Sequence, residues 1–328
     1  MIMTTSSHRA VICVIAGLLS APVEQVLPLQ AVADPGALFA PAVAFDETRQ
    51  RLIVFGGEGN NRSLPTQTWE WNGSAWSSRS VAGPSGRFWS AMTYDASRAR
   101  TVLFGGAGAN GALGDTWEFD GEVWTRVSTG GPSPRFAHEM AYDRVRRRVV
   151  MHGGTGPGGP FGDVWEWDGS QWQQRQGNGP SSRFAHAMTF DEARQQIVVF
   201  GGHGPTPRDT NMSPLGDTWT LGAAWANVTT EGPGTRDHTS MVYDRNRRRV
   251  VLFGGVRNPG PGQLSDTWEW DGTRWSLVAS DGPIVHGNHR LVYDPRSRTV
   301  LLFTGSADGA TTSRVHQWNG TAWRSAQP

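Results

Sequence analysis

Four arginines and three histidines stand at recurring positions where they could do chemistry. They are Arg87, Arg135, Arg183 and Arg236, with His138, His186 and His289 three residues beyond an Arg or its equivalent slot. A guanidinium presents a planar fork of donors that matches a carboxylate, and an imidazole can bind a hydroxyl or move a proton. A ring of such groups would grip a carboxylate or the hydroxyls of a sugar. The competing role is structural, each side chain tying its own unit to backbone carbonyls of the next; recurrence with a repeat favours it. The series is imperfect: Thr239 fills one His slot with His238 one residue early, and His286 fills one Arg slot. Arg208 and Asp209 add a charged pair in the longest loop, 203–215.

Other chemistry is easier to exclude. The chain has no lysine, so no Schiff base or lysine nucleophile is possible. Its one cysteine, Cys13, lies in an N-terminal apolar run. There is no Gly-x-Ser-x-Gly elbow, and the repeated Gly-Gly ends an apolar run instead of opening a phosphate-binding helix. The histidines are spread one per unit, unlike clustered zinc ligands. No catalytic residue, metal or cofactor is therefore assigned. A formal net charge of +1 supplies no field to gather a nucleic acid. The Arg-rich turns 144–148 and 245–249 read as solvated turn residues.

The elements that must position these residues form a repeat of roughly 50 residues. Residues 132–176 hold the clearest copy: Arg135-Phe136-Ala137-His138, Tyr142-Asp143, Val149 to Gly154, Asp163-Val164-Trp165-Glu166-Trp167-Asp168-Gly169 and Trp172. The position before Gly-Gly recurs as Phe55, Phe104, His152, Phe200, Phe253 and Phe303. All tryptophans follow the repeat except Trp89. Indoles at this density give a large apolar payload to a unit too short for its own core.

Each unit reads as four short strands. His138, Met140 and Tyr142 alternate with Glu139 and Ala141, which is strand periodicity. A continuous apolar run such as Val250 to Phe253 follows, then Thr-Trp-Glu-Trp, and Asp-Gly or Asn-Gly makes a tight turn into the fourth strand. Six such units with no helical pattern between them predict an all-β six-bladed β-propeller of four-stranded antiparallel blades. The blades fall at about 38–80, 84–128, 132–176, 180–228, 232–279 and 283–328. Closure is expected from packing between blades, without a strand exchanged between the ends.

The Gly-Gly after an apolar strand, the aromatic-Asp turn before it and the later Trp resemble the kelch repeat across residues 38–328. Leu38 and Pro41 in the first copy and Thr304-Gly305 in the last depart from it. Kelch propellers are similar to galactose oxidase, whose copper site needs a Tyr joined to Cys; Cys13 lies outside the repeats and every Tyr sits in the repeated turn position, so that implication fails. They also resemble secreted sialic-acid mutarotases, which implies an alternative: a sugar-acting enzyme using a carboxylate such as Glu58, Glu139 or Asp209 near the Arg ring.

Strand alternation puts the short, regular turns at one end and the variable loops at the other. Those loops run 58–65, 107–113, 155–161, 203–215, 256–264 and 306–313. His8 and Arg9, the apolar run 10–19 and Ala31-Val32-Ala33 read as a secretory signal over 1–33. The expectation is a secreted, extracellular or periplasmic binding module, a monomer without a transmembrane segment once processed, recognising a protein or glycan through its variable face.

Overall fold

A computed structural model describes residues 34–128, 130–206, 209–228, 231–257, 262–285, 288–305 and 312–326. The expected signal segment 1–33 and Arg208 lie outside these residues, as do the side chain of Asp209 and His286.

The chain forms six four-stranded antiparallel sheets, each built from consecutive strands, so no strand is exchanged between the ends. In blade three the strands are Glu139–Asp143, Arg148–His152, Val164–Trp167 and Trp172–Arg175. The first strands of the six blades are Ala42–Asp46, Ala91–Asp95, Glu139–Asp143, Ala187–Asp191, Ser240–Asp244 and Arg290–Asp294. Each packs beside the first strands of both neighbours, and blade six returns to blade one. The result is a closed six-bladed propeller with these strands around a central channel.

Apolar side chains from two adjacent blades form each of six cores. Val102 and Phe104 of blade two meet Met140, Tyr142, Val149, Met151 and Trp167 of blade three. The second strands are buried on both faces because both faces meet a neighbour, which is why they read as unbroken apolar runs. Polar links cross the same seams. The indole Nε1 of Trp124 donates to Thr68 Oγ1 of the preceding blade at 2.8 Å, and Trp172 does the same to Thr116 at 2.8 Å. Trp275 and Trp323 repeat the bond to Thr218 and Thr267 at 2.9 Å.

The first glycine of each Gly-Gly is demanded by close approach. Gly105 has φ +61°, and a Cβ there would sit 2.6 Å from the Arg135 carbonyl of the next blade. Gly153 faces Arg183 in the same way, at 2.5 Å. The pairing register shifts at this point, between Phe104 and Gly106 and between Phe253 and Gly255. Beyond the shift the strands pair again, so most of the stretches expected to be irregular loops are hairpins. Arg100–Gly108 and Gly111–Phe119 continue as one ribbon, as do Arg249–Arg257 and Gly262–Trp270. Thr155–Gly156 pairs with Gly159–Pro160, and His203–Thr206 pairs with Asp209–Pro214. A two-stranded ribbon has outward N–H positions that need no partner, and these tolerate proline.

The repeated histidines fill seams. His138 meets the Phe104 ring edge-on at 5.4 Å, His289 Nε2 lies 2.9 Å from the Phe253 carbonyl, and His186 Nε2 lies 3.3 Å from His152 Nδ1. All four rings are buried. Burial pushes His138 and His152 down to about 3, His289 to about 4 and His186 well below the ordinary 6.5. The folded protein therefore refuses protons that the unfolded chain accepts below about pH 6.5. Their stabilising contribution is complete above that pH and is lost as pH falls towards 4, at up to about 1.4 kcal/mol per pH unit for each ring. The urea midpoint should fall between pH 7 and pH 5, and His138→Ser, which copies Ser90 of blade two, should flatten that slope by up to one proton. An unchanged slope in the variant would contradict this role.

Candidate functional site

The repeated arginines are fully buried and form a structural spoke in each of blades two to five. Arg87 donates from Nη1 to the Gly105 carbonyl at 2.9 Å and grips Asp115 with both terminal nitrogens at 2.7 and 3.0 Å. Arg135 holds Gly153 and Asp163, Arg183 holds Gly201 and Asp217, and Arg236 holds Gly254 and Asp266 in the same geometry. Tryptophan Nε1 groups at 117, 165, 219 and 268 complete the carboxylates at 2.7 Å. Burial raises Asp115, Asp163 and Asp217, but the Arg bonds outweigh it and hold them below the usual carboxylate range. The guanidinium thus works inside its own blade. It is the Arg backbone carbonyl that reaches the neighbour, accepting from Gly57, Gly106, Gly154 and Gly202 at 2.8 to 2.9 Å. Neither these arginines nor His138, His186 and His289 present a surface to a ligand.

The residues that do reach the axis lie just past the arginines. Ala40, Trp89, Ala137, Ala185, His238 and Asn288 all adopt left-handed backbone, with φ from 51 to 56°. From Trp89 to His238, each N–H donates to the carbonyl of its counterpart in the preceding blade at 2.8 to 2.9 Å, so four bonds link five of these residues into a backbone hoop around the channel mouth. That conformation costs a non-glycine residue on the order of 1–2 kcal/mol, which the interblade bonds offset. Three of the six hoop residues are alanine, so the scaffold asks for nothing larger there.

Trp89, His238 and Asn288 are the exceptions, and they meet. Trp89 Nε1 donates to Asn288 Oδ1 at 2.8 Å across the mouth. Its indole stacks on Phe136 at 5.6 Å and 14°, with Phe88 at 5.1 Å and Phe39 at 5.8 Å, a half-buried aromatic shelf. His238 closes the other side at 6.5 Å. In blade five the shelf position, Phe39, Phe88, Phe136 and Phe184 elsewhere, is Asp237. Its carboxylate bonds Nδ1 of His238 at 2.9 Å and Nδ1 of His203 at 3.0 Å. Burial pushes Asp237 up, but the two imidazoles outweigh it and hold the carboxyl below the usual range. Beneath, Arg290 Nη1 reaches across from blade six to Glu139 Oε1 of blade three at 2.9 Å.

Below this pair the channel holds a cavity of about 160 Å³. Its far end is crossed by four charged residues from the first turns. Arg144 pairs with Glu47 and with Glu192 at 2.8 Å; Arg245 pairs with both at 2.6 Å. Arg144 and Arg245, expected to be solvated turn residues, therefore close a cyclic quartet over the channel. Among the described residues no three His, Cys, Asp or Glu side chains are grouped to hold a metal ion, and no helix is long and apolar enough to cross a membrane.

Comparison of the chain with models of known protein families, and with curated proteins, finds no match in either. The geometry and the repeat carry the argument alone.

Of the residues expected to form a site, the four arginines and three histidines are buried in spokes and seams, and Arg208 and the side chain of Asp209 lie outside the described residues. The signal that could have found the mouth was Trp89, the one indole outside the repeat, together with its aligned slots. The two kinds of residue separate by mutation. Arg135→Ala leaves Asp163 without its cation and should lower stability by about 3–5 kcal/mol in chemical denaturation. Trp89→Ala gives the residue of blades one, three and four but removes the indole and its bond to Asn288, and should cost about 1–2 kcal/mol, less than Arg135→Ala. A loss below about 1 kcal/mol for Arg135→Ala would remove the structural role.

Proposed function

We propose that this protein is a secreted or periplasmic binding module of kelch type, and that its channel mouth takes a carbohydrate. One observation carries the reading: three of six hoop positions depart from alanine, and those three converge with Asp237 and His203 beside an aromatic shelf. The shelf formed by Phe39, Phe88, Trp89 and Phe136 suits the apolar C–H face of a sugar ring. The carboxylate, the imidazoles and the Asn288 amide suit its hydroxyls. The hairpins of blades two to five rise around this mouth and frame it. Location rests on the signal-like segment 1–33. The near-neutral charge supports a partner other than a nucleic acid.

The His203–Asp237–His238 arrangement favours a second reading. A carboxylate that fixes two imidazoles by Nδ1 can support one as base and one as acid, which is what proton transfer at a reducing sugar requires. The carboxylate of the sugar-acting alternative would then be Asp237, in place of Glu58, Glu139 or Asp209.

A glycan array with the purified protein tests the primary reading. A hit should weaken ten- to a hundredfold in Trp89→Ala and in Asp237→Asn while each variant stays folded by circular dichroism, in line with the loss of an aromatic anchor. Loss of binding only on substitution within 203–215 would move recognition to the hairpin and point to a protein ligand. Faster anomeric equilibration of a bound sugar, lost in His238→Ala, would establish the enzyme.

A further inference from the structure

Glu139 and Arg290 occupy a slot that holds Ala42, Ala91 and Ala187 in blades one, two and four and Ser240 in blade five. The propeller therefore closes without charge at this level, yet two opposite charges face each other across the axis. Each side chain is only 16% exposed. Among the described residues, Arg290 bonds a single partner, one carboxylate oxygen of Glu139, although a guanidinium carries five donors. Burial pushes the Glu139 carboxyl up, with Arg290 pulling it back. A half-satisfied ion pair at this depth is a poor stabiliser, since desolvation opposes most of its Coulomb attraction. It borders the cavity of about 160 Å³, which Thr93, Thr189 and Ser240 also line.

We infer that this chamber is a second binding site, for a small zwitterion of the α-amino acid type, held by its carboxylate on Arg290 and its ammonium on Glu139. Charge complementarity selects the class. An anion alone would face Glu139, and a cation alone would face Arg290; a ligand bearing both signs leaves each buried charge compensated. Size narrows it further. An engineered cavity of about 150 Å³ holds a benzene-sized guest, which matches glycine, alanine or serine and excludes long side chains. Ala91 and Ala187 leave room beside the charges, and the threonine and serine hydroxyls can complete the carboxylate. The quartet of Glu47, Arg144, Glu192 and Arg245 crosses the far end of the chamber.

Isothermal titration of the purified protein with glycine, alanine, serine, acetate and methylammonium tests the assignment. One or more of the three amino acids should bind at least tenfold more tightly than acetate or methylammonium. Glu139→Ala/Arg290→Ala, which restores alanine as in three other blades, should keep the fold and lose at least tenfold in affinity. Should that variant fail to fold, Glu139→Gln, nearly isosteric, should show the same loss. Absence of amino-acid binding, equal binding of acetate, or retention of affinity in a folded variant would overturn the proposal. The site goes beyond the carbohydrate reading and can be separated from it: Trp89→Ala should weaken glycan binding ten- to a hundredfold while retaining the amino acid, because the indole supplies neither charge.

Discussion

Four short strands make a sheet with two faces and no interior, so a blade of this chain has nowhere of its own to bury Phe104, Val102 or Trp167. Each face must find another blade, and that requirement is met only when the last blade returns to the first. The six cores lie in the seams for this reason, each drawing on two neighbours. Everything else follows the seams: the indole-to-threonine bonds, the histidines buried as neutral rings, and the glycines that let an Arg carbonyl approach within hydrogen-bonding distance. Blade-to-blade packing joins the ends, with Ser313 bonded to the Gly36 carbonyl through its N–H at 3.0 Å and its hydroxyl at 2.6 Å.

A repeat also supplies its own reference state. Where five or six blades agree, the residue is explained by the seam or the spoke it serves. Where a slot is alanine in some blades and large or charged in others, the scaffold does not account for the difference. Blade one shows the logic from the structural side: it has Leu38 for the arginine and Gln67 for the aspartate, so both members of the spoke are absent together and no buried charge is stranded. Trp76 shows its limit, because its indole packs with Val315 where four other seams offer threonine, and its Nε1 is left without a hydrogen-bond partner.

Local rules made the fold legible. Strand periodicity, Gly-Gly, the aspartate turns and the tryptophan spacing specify blades from their own residues. The aspartates of the first turns accept from the backbone N–H two and three residues on, as their spacing implied. The arginines were legible as repeated but not as buried, since their partner aspartates lie 28 to 34 residues away and only the folded blade brings them together. The site was hidden for a sharper reason. Trp89 and Asn288 are 199 residues apart and Glu139 and Arg290 are 151 apart; these pairs are set by position around an axis, which no linear spacing encodes. Glu139 was visible as a candidate carboxylate, yet nothing in its own strand names Arg290.

Below the mouth, the fixed charges along that axis are paired with opposite charges level by level. Asp237 sits between two imidazoles at the mouth, Glu139 faces Arg290 below it, and two glutamates alternate with two arginines at the far end. A channel lined by one sign would focus field lines and gather ions of the other. This one pairs opposite charges along its length. It offers instead many directed donors and acceptors in narrow, partly dry surroundings, where hydrogen bonds discriminate by geometry more than by net charge. Such surroundings suit the polyol and the zwitterion proposed as ligands, and the aromatic shelf at the opening adds an apolar face for a sugar ring.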